Sequence, residues 1–141
     1  MTKLLLAEDH EFSRDMLMRR LQRQGFEVAT ATNGREAVAA ARRDHPDVIL
    51  MDLDMPVMDG QTAIRSLKSD PRTFRIPIIV ISANTSPEDV AQALSSGAQA
   101  FEAKPVVLRR LIDRIEETVA ASRPTPAPSA PAVPVDPAPV P

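Results

Sequence analysis

The segments VILM (48–51) and IIVI (78–81) are apolar at every position. A strand with one face in water alternates apolar and polar residues, so these two point to central strands of a parallel sheet covered on both sides. They sit within five short apolar runs: KLLLA (3–7), FEVAT (26–30), DVILM (47–51), PIIVI (77–81) and AQAFEA (98–103). Each run is followed by a stretch with helical recurrence. Phe12, Met16, Leu17 and Leu21 recur loosely in the first, which stops at Gly25. Residues 34–43 form an alanine-rich helix that stops before Pro46, and residues 60–69 form another. Ser86-Pro87-Glu88-Asp89 opens a fourth helix with a cap residue, a first-turn proline and acids. Leu108, Leu111, Ile112, Ile115 and Val119 give the last helix an apolar stripe spaced by three or four. A β-α unit repeated five times predicts an α/β fold with right-handed crossovers and a doubly wound parallel sheet.

In such sheets ligands bind beyond the carboxyl ends of the strands. The first run ends in Glu8-Asp9, the third in Asp52, the fourth in Ser82 and the fifth in Lys104-Pro105. One edge of the sheet is thus expected to collect three carboxylates, one hydroxyl and one ammonium. Clustered carboxylates repel one another unless cations intervene, and one lysine is too few. Mg²⁺, which binds through a few carboxylates and keeps phosphate oxygens and waters as further ligands, is the natural partner. An aspartate beside such a metal can take a phosphoryl group, and a hydroxyl and a lysine can stabilise the charge that develops during transfer.

The chain has no cysteine, which excludes disulfides, thiolate metal sites and cysteine nucleophiles. A net charge of −2 gives no electrostatic footprint for nucleic acid or an anionic membrane. The N-terminal apolar run is broken by Glu8 and Asp9, too early for a secretion signal, and no later segment is long enough to span a bilayer. A cytoplasmic setting is expected. From Ser122 onward the composition shifts, and 8 of the 14 prolines lie in residues 123–141. We therefore expect a domain over 1–122 and an extended, polyproline-like tail or linker over 123–141.

Together, Glu8-Asp9, DLDMPVMDG around Asp52, Ser82-Ala83 and Lys104-Pro105 resemble the receiver domain of two-component response regulators, over nearly all of residues 3–121. The resemblance implies a flavodoxin-like (βα)5 fold with strand order 2-1-3-4-5. It makes Asp52 the phosphoacceptor. Glu8 and Asp9 would hold Mg²⁺, helped by Asp52 and the backbone carbonyl of Asp54. Ser82 and Lys104 would contact the phosphoryl group, and the Lys104–Pro105 bond would be cis. Phe101 falls where the family carries its aromatic switch residue, paired with Ser82. The implied partners are a sensor histidine kinase or histidine phosphotransfer protein, and a downstream protein on the face of the fourth helix, fifth strand and fifth helix. The chemistry would be that of a switch limited to self-phosphorylation and autodephosphorylation, not of a turnover enzyme.

Asp54 departs from the neutral side chain the family more often has there, and with Asn84 it is expected to tune hydrolysis. Asp59 is expected only to cap the helix that starts at Gly60. His10, at a helix start, and His45, before Pro46, are assigned no chemistry. The competing reading is a haloacid-dehalogenase-type phosphatase, which also uses Asp-x-Asp after an apolar strand, here Asp52-Leu53-Asp54. Against it stand Pro56, an acid pair that comes first in the chain instead of late, and too little sequence for a substrate cap. With no second folded segment and a start at Met1, a free-standing regulator is expected rather than a receiver cut from a hybrid kinase or other multidomain protein.

Overall fold

The structure is a computed structural model, and it describes residues 1–53, 55 and 58–122. Five strands, β1 (Lys3–Ala7), β2 (Glu27–Ala31), β3 (Val48–Asp52), β4 (Ile78–Ser82) and β5 (Ala100–Ala103), form one parallel sheet in the order β2-β1-β3-β4-β5. Between and after them run α1 (Glu11–Arg23), α2 (Gly34–Asp44), α3 (Gly60–Lys68), α4 (Pro87–Ser96) and α5 (Leu108–Ser122). This is the doubly wound architecture and the strand order expected from the sequence. The expected tail, 123–141, lies outside the described residues.

Every residue of β3 and β4 is buried. Successive side chains of a strand point to opposite faces, so each strand feeds two cores. Leu5, Ile49, Met51, Ile78 and Val80 pack against Ala37, Ala41, Ile64, Leu67 and Ala93 of α2, α3 and α4. Leu4, Val48, Leu50, Ile79 and Ile81 pack against Leu21 of α1 and Leu111, Ile115 and Val119 of α5. The ladder is in register from Leu4↔Val48 through Ile49↔Ile78 to Ile79↔Ala100.

Two details depart from the apolar pattern. β2, β3 and β4 each run one residue past the apolar run that marks them, so Asp52 and Ser82 are the last residues of their strands. Ladder hydrogen bonds belong to the backbone and continue beyond the last apolar side chain. The loose stripe of α1 is also only partly a core face. Phe12 is 69% exposed and Met16 38%, whereas Leu21 is fully buried. The helix meets the sheet through its C-terminal half.

Helix starts follow short-range chemistry. Asn33 accepts the Glu36 N–H at 2.8 Å, and Glu36 reaches back to the Thr32 N–H at 2.7 Å, a reciprocal pair that opens α2. Asp59 caps α3 by accepting the Thr62 N–H, and Ser86 caps α4 by accepting the Asp89 N–H, both as expected. His10 caps α1, its Nδ1 accepting from the Ser13 N–H at 3.3 Å.

Asp70, after α3, accepts from Arg72 at 3.0 Å and from Arg42 at the end of α2 at 2.8 Å. Hydrogen bonds from the Arg72 side chain and N–H, with Arg42 behind them, hold its carboxyl well below the usual range. A depressed folded-state pKa adds stability above the unfolded value, near 3.9 for aspartate, and loses it progressively as pH falls. Asp70→Asn should therefore be less stable than the parent at pH 7, with the gap closing as pH drops below about 4. Urea midpoints at pH 7 and pH 3 check this. A gap that is constant or grows in acid contradicts it.

Candidate functional site

The carboxyl ends of β1, β3, β4 and β5 deliver Glu8-Asp9, Asp52, Ser82 and Lys104 to one edge of the sheet. Glu8 and Asp52 are buried, at 7% and 5% exposure, because both faces of the sheet are covered. Asp9 is exposed. One carboxylate oxygen from each of Glu8, Asp9 and Asp52 lies within 4.8 Å of the other two.

Lys104 Nζ donates to Glu8 Oε1 at 3.0 Å and to Asp52 Oδ2 at 3.2 Å, so one ammonium bridges the two buried acids. The His10 N–H adds a bond to Glu8 Oε2 at 3.1 Å. Burial pushes the Glu8 carboxyl up, but Lys104, the His10 N–H and a hydrogen bond shared with Asp52 outweigh it, leaving the pKa below its ordinary value. For Lys104, burial works against the charged form. Its bond to Glu8 and the charge of Asp52 prevail, so its pKa rises and it stays protonated at neutral pH. The Lys104–Pro105 bond is cis.

Ser82 is fully buried, and its Oγ accepts the Asn84 N–H at 3.0 Å. Its carbonyl accepts the Lys104 N–H at 2.9 Å, tying the ends of β4 and β5 together. Phe101, opposite Val80 on β5, is half-buried against the core on the α2–α4 face. Asp54, expected to offer a carbonyl and to tune hydrolysis, lies outside the described residues. A cleft of ≈ 270 Å³ opens beside the acids, with Glu8, Asp52 and Lys104 at one end and Met16, Leu17 and Val106 along its apolar wall.

The donor set fits a small hard cation. Around an octahedral ion with metal–oxygen distances of about 2.1 Å, ligand oxygens lie about 3 Å apart when adjacent and about 4.2 Å when opposed. The three carboxylates already fall near that spread, and they are oxygen ligands of the kind Mg²⁺ prefers.

Three features of the site escaped the sequence reading. Gly60 donates its N–H to Leu53 O at 3.0 Å, and Gly34 donates to Met58 O at 2.9 Å, so two glycines hold Leu53 and Met58. Arg14 bonds the carbonyls of Glu8 and Asp9. For Gly34 the signal was the spacing of Asn33 and Glu36, three residues apart as in a capping pair. Nothing in the sequence marks Arg14 among the other arginines of α1.

A family model, the response regulator receiver domain, matches residues 4–116. The chain belongs to that family. Among its relatives, response regulator PleD of Caulobacter vibrioides is 43% identical over 104 residues, covering 74% of this chain and 23% of PleD. Protein PilH of Pseudomonas aeruginosa is 33% identical over 120 residues, covering 85% of this chain and 99% of PilH. The chain spans less than half the length of several relatives, including 48% of the transcriptional regulatory protein PrrA of Mycobacterium tuberculosis. Among solved structures, the receiver domain of sensor histidine kinase PA1611 from Pseudomonas aeruginosa aligns with a TM-score of 0.79 at 30% identity, over 84% of this chain and 98% of that one. That structure has magnesium coordinated in its active-site cleft. As a receiver domain the chain is a two-component signalling module, and the phosphatase reading is set aside. Among the described residues no helix is long and apolar enough to cross a membrane.

Proposed function

We propose that this receiver is a phosphoacceptor switch in which Asp52 takes a phosphoryl group from a sensor histidine kinase or a histidine phosphotransfer protein. The observation that carries the reading is the position of Asp52: buried at a strand end, bonded to Lys104 and flanked by Glu8 and Asp9. An Asp52 carboxylate oxygen attacks phosphorus, the phosphorus–nitrogen bond of the donor phosphohistidine breaks, and its electron pair stays on the imidazole. Glu8, Asp9, Asp52 and the Asp54 carbonyl would hold Mg²⁺, which when bound offsets the negative charge on the transferred group. Lys104 supplies a further positive charge, and the Ser82 hydroxyl a hydrogen bond. Met16, partly exposed on the cleft wall, and Val107, exposed between the lining residues Val106 and Leu108, give a donor protein an apolar surface to meet.

The added phosphate carries roughly −1.5 to −2 charge at pH 7. Charge-assisted bonds from Ser82 and Lys104 contribute about 1.5–3 kcal/mol each. Reversing a two-state population from 1:99 to 99:1 takes about 5.5 kcal/mol, so two such bonds plus repacking are of the right size. Ser82 moves toward the phosphate, and Phe101 turns into the space it leaves. The change reads out on the face of α4, β5 and α5. In support, Ala93 is the one buried residue of α4, so that helix is lightly anchored.

Incubation with Mg²⁺ and acetyl phosphate, followed by intact mass, tests the reading. A single phosphoryl adduct should form on the parent and be lost in Asp52→Asn. No adduct from either a competent small donor or a cognate kinase overturns it.

A further inference from the structure

Arg14 carries a positive charge at the end of the first turn of α1, where unpaired N–H groups already make the helix terminus electropositive. That position is unfavourable for a cation unless something offsets it. The side chain folds back toward the helix start, the direction helical side chains take, and its Nη1 donates to the carbonyl oxygens of Glu8 at 3.0 Å and Asp9 at 3.3 Å. These are the two residues of the acid pair. Glu8 has its side chain held by Lys104 and the His10 N–H. Asp9 is exposed, and its carboxylate takes no hydrogen bond from a described residue. The Asp9 Cα–Cβ direction is set by its backbone, and Arg14 holds the carbonyls on both sides of the Asp9 α-carbon.

We infer that Arg14 is a positioning residue for the acidic site, holding the β1–α1 corner so that Asp9 and Glu8 face Asp52 and thereby setting the affinity for a divalent cation. This rests on the reading of Glu8, Asp9 and Asp52 as a metal site. Two effects oppose each other. A nearby positive charge repels an incoming cation, whereas a pre-ordered ligand backbone lowers the entropy lost on binding. Among the described residues the Arg14 side chain donates to two carbonyl oxygens of the acid pair and to no carboxylate, so we take ordering to be the larger effect. Groups that orient metal ligands from behind typically change affinity by roughly 10- to 100-fold when removed.

Calorimetric titration of MgCl₂ into the parent, Arg14→Met, Arg14→Lys and Glu8→Gln separates these effects. Arg14→Met should bind Mg²⁺ roughly 10-fold more weakly, with a metal-free thermal midpoint close to the parent's. Arg14→Lys keeps the charge, but its Nζ ends one atom short of the position of Nη1, so it should recover only part of the affinity. If Arg14→Met does not fold, a Lys variant as tight as the parent still overturns the inference. So does a Met variant that binds Mg²⁺ as well as the parent or better, the latter being the signature of a merely repelling charge. A parent that binds no more tightly than Glu8→Gln sinks the metal-site reading itself, and the inference with it.

Discussion

Gly60→Ala should lose about 2–4 kcal/mol of stability and most of its phosphoryl uptake. A Cβ on Gly60 would lie 2.5 Å from the Asp52 carbonyl oxygen and 2.6 Å from Leu53 Cα. Both are backbone atoms at the end of a buried central strand, so neither can swing aside as a side chain can. Either α3 moves off the sheet and gives up the Gly60 N–H bond to Leu53, or the end of β3 shifts and carries the Asp52 carboxylate with it. A displacement of about 1 Å at a reacting group can cost about 100-fold in rate. Urea unfolding and the time course of acetyl phosphate labelling measure the two losses. A variant within about 0.5 kcal/mol of the parent, labelled at the parent's rate, contradicts the close approach. Gly34 meets the Met58 carbonyl in the same way, at the start of α2.

Lys104→Met should be destabilised by about 2 kcal/mol without metal and regain more of its stability in Mg²⁺ than the parent does. Breaking a fully buried pair costs about 3–5 kcal/mol, and the lysine's 30% exposure reduces that. Without the ammonium, only the His10 N–H and the bond shared with Asp52 remain to oppose burial at Glu8, so its carboxyl titrates higher than in the parent. In the parent, the Glu8 contribution is present above the unfolded pKa and lost as pH falls. In the variant that contribution is smaller, so the gap between the two proteins is widest at neutral pH and narrows as pH falls toward the carboxylate range. Chemical denaturation in EDTA and in millimolar Mg²⁺, at pH 7 and pH 5, reads both effects. A gap that Mg²⁺ leaves unchanged would show that Lys104 and the cation do not compete for the same acids.

Much of the fold was legible because each strand carries its signal locally. VILM and IIVI are apolar on both faces, and only a sheet covered on both sides accommodates that. Asp59 and Ser86 were readable as caps because a cap bonds an N–H three residues on. The stripe of α1 misled in part, since periodicity says which residues share a face but not how far along the helix the sheet extends. Phe12 lies on that face and beyond the sheet.

The same division runs through the site. Residue types at the strand ends, and the order in which they come, were determined by the chain alone. Parallel strands bring all their carboxyl ends to one edge, so Glu8, Asp9, Asp52, Ser82 and Lys104 had to meet. Which of them touch, and through which atoms, was decided only by tertiary packing. Lys104 bridging Glu8 and Asp52, Gly60 abutting the Asp52 carbonyl and Arg14 gripping the acid-pair backbone each depend on the distance and angle between two separate elements. Local patterning encodes what an element is. Those distances follow from how side chains on both faces of the sheet fill space together.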